Sequence, residues 1–143
     1  MLVYRGLGII SSFNILRIMK ILTSIPVRVV YAVTFALLAI NHFINADSYL
    51  RYVPTFLPDR ILWIYLIGIF LLVTSYAVTK KKHTKQACLV LSIYLILVVF
   101  SVHIPGLFFP KIMQASMLSI LKDTGLAGSG LFLASVIGIA ESE

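Results

Sequence analysis

Charged side chains are scarce in this 143-residue sequence: they make up 12% of it, whereas soluble domains carry about 25%. So few charges cannot cover a chain this small, because small domains expose a large share of their surface. Apolar residues account for 60% of the sequence, and the mean hydropathy is +1.03. The composition excludes a water-soluble globular domain, a disordered chain and a nucleic-acid-binding protein, and it predicts an integral membrane protein.

Cysteine and catalytic motifs are also nearly absent. Cys88 is the only cysteine, which excludes an intramolecular disulfide and a CxxC redox motif in this chain. We expect Cys88 to be a small packing residue inside a membrane span. There is no HExxH, GxSxG, P-loop or GxGxxG pattern. No residue is therefore predicted to be catalytic, and whether the protein is an enzyme stays open.

Four apolar runs are long enough to cross a bilayer. They cover residues 27–46, 61–79, 86–104 and 123–140, close to the roughly 20 residues that a hydrocarbon core of about 30 Å requires. Helices are predicted because the runs lack the two-residue alternation of barrel strands. The short to moderate connections favour an all-α, antiparallel bundle of four transmembrane helices.

Two connections on one side of the predicted bundle are expected to lie at the membrane surface. Residues 47–60 carry Tyr49, Tyr52 and Phe56, and residues 111–121 form an apolar stretch too short to span. Aromatic side chains favour the headgroup layer, and the second stretch is predicted to be a separate interfacial helix. Asp123 would then cap the N-terminus of the fourth span.

Basic residues divide unevenly between the two ends of the predicted bundle. Eight lie at one end and four at the other, where aspartates offset them. The eight are Arg5, Arg17, Lys20, Arg28, Lys80, Lys81, Lys82 and Lys85, and the four are Arg51, Arg60, Lys111 and Lys122. The positive-inside rule then predicts that both termini lie in the cytoplasm.

Residues 1–24 are treated apart from the transmembrane domain at 25–143. The apolar run at 7–16 is too short to span and is followed by Arg17 and Lys20. Two alternatives remain open: a helix on the cytoplasmic face, or an upstream extension ahead of a start at Met19. A cleaved signal peptide is disfavoured, because no small-x-small site precedes the first span.

Small residues recur at helical spacing in two spans. Gly130, Ala134 and Gly138 follow one another at four-residue steps, and Ala32 and Ala36 do the same in the first span. Helices in lipid associate through close packing of small residues, so both faces are predicted to be buried against neighbouring helices. A homodimer seam would explain the same pattern, and the sequence does not separate the two.

Polar side chains inside a span are costly in lipid, so each is a candidate for a site. Asn41, His42, His103, Lys122 and Asp123 are predicted to lie at one depth, near the outer interface. One interpretation of these residues is structural. Asn41 then bonds across helices, the two histidines bond to neighbours at the interface, and Lys122 extends its ammonium toward the headgroups. The alternative is a pocket that hydrogen-bonds a quinone head group or another small polar ligand, with histidines that shuttle protons. The histidines and Asp123 are also ligand types for a metal, but their spacing carries no ligand signature, and no metal is predicted.

Three short motifs lie between residues 26 and 140. The first is NHFINA at 41–46, followed by Tyr49 and Val53-Pro54-x-x-Leu57-Pro58. The second is IYLIG at 64–68. The third is LKD at 121–123, followed by GLAG at 125–128. Together they resemble one branch of the DoxX-like family of small bacterial membrane proteins. Ala46 departs from the proline usual in that branch, and residues 69–71 lack the acidic residue often found there.

The resemblance implies a four-helix, multi-pass protein of the bacterial inner membrane. Some relatives are associated with redox systems that reduce quinones, and most have no established activity. The first expectation is a non-catalytic scaffold or accessory subunit that binds a membrane or periplasmic protein. The alternative is a quinone-interacting subunit of an oxidoreductase, and the third is a small-solute transporter acting as a homo-oligomer.

Overall fold

A computed structural model describes residue 15, residues 17–80 and residues 82–142, with side chains described as far as Ile139. The expectations for residues 1–14 lie outside the described residues. In the described part of the chain the secondary structure is helical throughout, with no strand. This confirms the all-α class.

Four long helices account for most of the chain. They are α1 (Ile25–Ile44), α2 (Arg60–Thr79), α3 (Thr84–Val98) and α4 (Met113–Ser142). Residues 17–22 are also helical and lead into α1. The stretches long and apolar enough to cross a membrane are Arg17–Ile44, Arg60–Thr79, Thr84–Gly106 and Met113–Ile139. The four-span architecture expected of a multi-pass membrane protein is therefore confirmed.

The helices associate as two pairs. α1 packs along α2, α3 packs along α4, and a smaller contact between α2 and α3 joins the pairs. Phe35, Val78, Cys88 and Leu91 are fully buried between them, so Cys88 occupies the packing position expected of it. Large apolar side chains such as Val30, Leu37, Val73 and Leu97 are exposed on the outside, where lipid is the natural solvent.

The small residues singled out in the sequence lie on faces that meet other helices. Gly130 shows this most clearly, because a Cβ there would collide with the Tyr31 hydroxyl and the Ser92 hydroxyl. Ala32, Gly130 and Ala134 are buried, and Ala36 and Gly138 are half-buried. Close approach at Gly130 lets Tyr31 donate a hydrogen bond to the Leu126 carbonyl at 3.3 Å, which ties α1 to α4.

The last helix corrects two predictions. α4 runs without interruption from Met113 to Ser142, so residues 113–121 are its first turns and not a separate interfacial helix. Asp123 lies inside this helix and does not cap its N-terminus. Pro110 precedes the helix, and no proline follows it, so nothing in the chain forces a break between Leu121 and Gly125.

The third span also continues further than a proline would suggest. A π-helical turn, Val99–His103, follows α3, and a short helical turn, Ile104–Gly106, contains Pro105. Proline has no backbone N–H and clashes with the carbonyl four residues before it, and a wider turn relieves that clash. His103 ends the π-helical turn with its side chain buried.

The antiparallel arrangement gives the bundle two chemically different ends. We call the end where α2 connects to α3 the basic end and the opposite one the mouth end. At the mouth end, α1 is followed by the helical turns Ala46–Tyr49 and Leu50–Tyr52. The Arg60 guanidinium donates hydrogen bonds to the carbonyls of Leu50 (3.3 Å) and Val53 (3.5 Å), which fasten this connection to the start of α2.

Candidate functional site

A cavity of about 500 Å³ lies at the mouth end of the bundle. All four helices contribute to its wall, as do the π-helical turn after α3 and residues 45–53. The five polar residues predicted to bind a ligand all line it: Asn41, His42, His103, Lys122 and Asp123. The fold therefore brings together side chains that are up to 82 positions apart, because the end of α1, the end of the third span and the first half of α4 meet there.

The chemistry of the wall changes with depth along the helices. We call the part formed by Asn41, His42, Tyr49, Tyr52, His103, Lys122 and Asp123 the polar mouth. We call the part formed by Leu38, Ile64, Ile67, Leu71, Leu95 and Val98 the apolar floor; most of it lies further from the mouth end along its helices. A molecule with a polar head and an apolar body would match both parts, as ligand sites usually pair an apolar wall with a few polar groups.

A group of three side chains, centred on the Asp123 carboxylate, forms one side of the polar mouth. His103 Nε2 lies 3.1 Å from Asp123 Oδ2, and Lys122 Nζ lies 3.0 Å from Asp123 Oδ1. His103 and Asp123 are 9% and 3% exposed, whereas Lys122 is exposed. Asp123 Oδ1 has no aligned hydrogen-bond donor within the described residues, so the Lys122 contact is an ion pair without hydrogen-bond geometry. His103 Nδ1 is buried and has no partner among the described side chains and backbone groups.

The opposite side of the polar mouth is built around His42 on α1. His42 Nδ1 lies 2.7 Å from the Leu38 carbonyl, and since a carbonyl only accepts, Nδ1 carries the proton. The Tyr49 ring stacks on the imidazole at a centroid distance of 4.3 Å and an angle of 13°. Asn41 Nδ2 donates to the Tyr49 hydroxyl at 2.5 Å, and Asn45 Nδ2 donates to Asn41 Oδ1 at 2.5 Å. This network fixes the orientation of both the imidazole and the phenol.

Aromatic rings connect the two sides. Tyr49 and Tyr52 lie 6.5 Å apart between centroids, and the Tyr52 ring meets His103 edge-on at 6.0 Å and 78°. We call His42, Tyr49, Tyr52 and His103 the aromatic roof. Sequence reasoning assigned the two tyrosines to an interfacial segment and missed them as lining residues. Tyr49 had a detectable signal, because it belongs to the same motif as Asn41 and His42, whereas the position of Tyr52 depends on the fold of the connection.

The arrangement points to hydrogen-bonding chemistry. In the described part of the chain, no group of three or more His, Cys, Asp or Glu side chains could hold a metal ion. Two imidazoles, one carboxylate, one ammonium, one guanidinium and three phenols nevertheless surround the same space. These groups can orient a polar head and exchange protons with it.

Comparison with family models, curated proteins and solved structures found no match to this chain. The resemblance to the DoxX-like family therefore stays a prediction.

Proposed function

We propose that this protein is a membrane subunit that binds a small amphiphile in the cavity at the mouth end, with the quinones as the first candidate class. The single observation that carries this proposal is the cavity lining: five polar residues predicted from the sequence share one cavity with an apolar floor. This ranks the ligand-binding subunit above the scaffold that the sequence alone favoured.

Size and polarity support a small amphiphile. Ligand sites commonly measure about 300–1,000 Å³, and this cavity is within that range. Burial of an apolar body against Leu38, Leu71 and Leu95 would contribute about 25 cal/mol of binding free energy per Å² of apolar surface removed from water. The polar mouth would hold the head group in either redox state: the Lys122 and Arg51 side chains can donate to a quinone carbonyl, and unpaired acceptors can receive a quinol hydroxyl.

A redox role needs a partner protein. Reduction of a quinone to a quinol consumes two electrons and two protons. His42 and His103 are suitable proton carriers at the cavity, while electrons would come from an associated oxidoreductase. The proposal is therefore a quinone-binding subunit and not a complete enzyme.

We further propose that the protein lies in the bacterial inner membrane, with the basic end and both termini in the cytoplasm. The concentration of lysines at residues 80–85 supports this orientation. Simultaneous replacement of Lys80, Lys81, Lys82 and Lys85 by neutral residues should disturb the topology reported by fusions at both termini. An unaltered layout would mean that these lysines do not set the orientation.

The ligand proposal is tested by purification in mild detergent and quantification of bound quinone by mass spectrometry, before and after addition of a quinone. Wild-type protein should retain about one quinone per chain, and His103→Ala or Asp123→Ala should reduce retention. His83→Ala is the matched control, because His83 is an exposed histidine at the basic end. Lack of binding by the wild type, or equal retention by all variants, would contradict the proposal.

A partner-binding scaffold remains a second candidate because of the aromatic side chains outside the cavity. Phe56, Phe108 and Phe109 are 83%, 81% and 61% exposed in the two connections at the mouth end. Replacing all three by serine should release a partner protein seen by native mass spectrometry while leaving ligand binding intact. If the complex survives this change, these aromatic residues do not form the contact.

A further inference from the structure

The protonation pattern of the two cavity histidines selects the kind of head group that fits. From this pattern we infer that the cavity prefers an amphiphile whose head is an aromatic hydroxyl, of the phenol or hydroquinone class, over the same head without the O–H. This inference rests on the proposed function and specifies its ligand. It requires the ligand to donate hydrogen bonds to imidazole nitrogens.

His103 supplies the first acceptor. Its Nε2 lies 3.1 Å from the Asp123 carboxylate, which accepts only, so in the neutral ring Nε2 carries the proton and Nδ1 carries a lone pair. That Nδ1 is buried and unpartnered among the described residues, in a side chain only 9% exposed that lines the cavity. Buried polar atoms are nearly always hydrogen-bonded in native proteins, and a hydroxyl bound in the polar mouth would supply the missing donor after a small turn of the imidazole toward the cavity.

His42 supplies the second acceptor by the same reasoning. Its Nδ1 donates to the Leu38 carbonyl at 2.7 Å, which leaves Nε2 as the lone-pair nitrogen of the neutral ring. Stacking on Tyr49 prevents the ring from turning freely. The cavity therefore carries imidazole acceptors on α1 and on the π-helical turn after α3.

Several donors of the polar mouth are already engaged. Asn41 Nδ2 donates to Tyr49, Asn45 Nδ2 donates to Asn41, and Arg51 Nε donates to the Ser48 carbonyl. The hydroxyls of Ser48, Ser119 and Tyr52 also line the cavity, but a hydroxyl can donate or accept and so does not discriminate. The Arg51 guanidinium and the Lys122 ammonium also line the cavity, but their N–H groups can donate to the oxygen of either head. The preference for a head that carries an O–H therefore comes from the imidazoles.

The aromatic roof favours a planar head. Tyr49 lies parallel to His42, and Tyr52 meets His103 edge-on, so ring faces and ring edges both border the polar mouth. Aromatic rings attract one another in offset-stacked and edge-to-face arrangements. A planar ring that carries its hydroxyl toward the imidazoles meets both requirements.

The test uses three probes of matched shape with the full-length protein in lipid nanodiscs. They are 4-heptylphenol, 4-heptylanisole, in which a methyl group replaces the hydroxyl hydrogen, and 4-heptylcyclohexanol, which keeps the hydroxyl without the aromatic ring. Calorimetric titration gives each Kd after subtraction of a protein-free nanodisc blank. We expect the phenol to bind at least about tenfold more tightly than the anisole, since an unsatisfied buried acceptor is costly.

Two variants assign the preference to the imidazoles. His103→Phe and His42→Phe each retain an aromatic ring but remove an acceptor, and each should lower the phenol-to-anisole ratio to about threefold or less. His83→Phe should leave the ratio unchanged, because His83 is exposed at the basic end. The phenol-to-anisole affinity ratio is measured on the wild-type protein alone, so the inference can be tested even if a substitution impairs folding.

The outcomes separate the inference from the proposed function. Equal binding of phenol and anisole would overturn the inference and leave amphiphile binding intact, whereas no binding of any probe would overturn the proposed function itself. Cyclohexanol binding as tight as that of the phenol would overturn the aromatic requirement. An undiminished phenol preference in both cavity variants would overturn the assignment to His42 and His103.

Discussion

The two ends of the bundle both bury charged side chains, but they use them differently. At the basic end, Arg28 is only 6% exposed, and its guanidinium donates to the Thr79 carbonyl (3.5 Å) and to Thr84 Oγ1 (3.3 Å). At the mouth end, His103 and Asp123 are bonded to each other beside a cavity. The first arrangement ties α1 to the end of α2 and the start of α3, and the second lines a cavity.

The difference indicates which buried polar groups serve the fold and which are available to a ligand. Thr84 donates to the Val78 carbonyl at 3.0 Å, and Ser75 donates to the Ala32 carbonyl at 2.7 Å. Such bonds to main-chain carbonyls hold helices in register within lipid, where no water can replace them. Arg28 Nε lacks a partner among the described residues, as His103 Nδ1 does, but Arg28 does not line the cavity at the mouth end. We therefore expect changes at the basic end to alter stability, and changes at the mouth end to alter binding.

The largest expected effect comes from filling the close helix contact at Gly130. Gly130→Leu would displace the Tyr31 and Ser92 side chains, with loss of their bonds to the carbonyls of Leu126 and Ala127. We expect the free energy of unfolding to fall by about 3 kcal/mol, measured by thermal or denaturant unfolding in detergent. Gly128→Leu is the control, because no atom of the described residues lies within 4 Å of a Cβ at Gly128. Equal stability of the two variants would show that the contact does not hold the pairs together.

A smaller loss of stability is expected at the basic end. Thr84→Val keeps the shape of a side chain that is 1% exposed but removes the hydroxyl that accepts from Arg28. A buried guanidinium then loses a partner, and unfolding should become easier by about 1–2 kcal/mol while ligand binding is unchanged. Thr74→Val is the control, since the Thr74 hydroxyl bonds only within its own helix. A change in ligand affinity on Thr84→Val would contradict the assignment of stability to the basic end and of binding to the mouth end.

Asp123 is expected to act as a positioning residue for His103. Asp123→Ala removes the acceptor at 3.1 Å that orients the imidazole, and ligand affinity should fall by about tenfold. Asp123→Asn retains an oxygen that can accept from Nε2 and should remain within about threefold of the wild type. If both variants lose affinity equally, orientation of His103 is not the role of this carboxylate.

The smallest effect is expected at the aromatic roof. Tyr49→Phe keeps the ring that stacks on His42 but removes the hydroxyl that accepts from Asn41. Affinity for the ligand should fall by about threefold, in line with the modest net value of one hydrogen bond. Tyr76→Phe, at an exposed tyrosine of α2, should bind as the wild type does. A larger loss of ligand affinity on Tyr76→Phe than on Tyr49→Phe would show that the affected binding site is not this cavity.

The sequence predicted the spans and the grouping of the polar residues for a simple physical reason. Apolar runs of bilayer length form helices whatever their neighbours are, and short connections make them antiparallel. His42 near the end of one helix and His103 near the end of another must then lie at the same end of the bundle. Their meeting in one cavity follows from topology more than from any sequence motif.

Other features depend on tertiary packing and were not predictable in the same way. The stretch 111–121 is too short to span by itself, but in the structure the chain from Met113 continues through Asp123 as one helix. The role of Tyr52 depends on two short helical turns and on the Arg60 bonds that hold them. The first feature had a local signal, because no proline separates residues 113–121 from Asp123. The second leaves no periodic pattern in the sequence, because it is set by contacts between the connection and the start of α2.

The unbroken length of α4 has a consequence for the depth at which a ligand lies. A helix rises about 1.5 Å per residue, so the part from Asp123 to Ser142 extends about 30 Å, which is the thickness of the hydrocarbon layer. If that part crosses the lipid, the turns before Asp123 stand among the headgroups. A ligand whose polar head is held at Asp123 would then keep that head at the level where headgroups meet acyl chains, with its apolar body deeper in the oily layer.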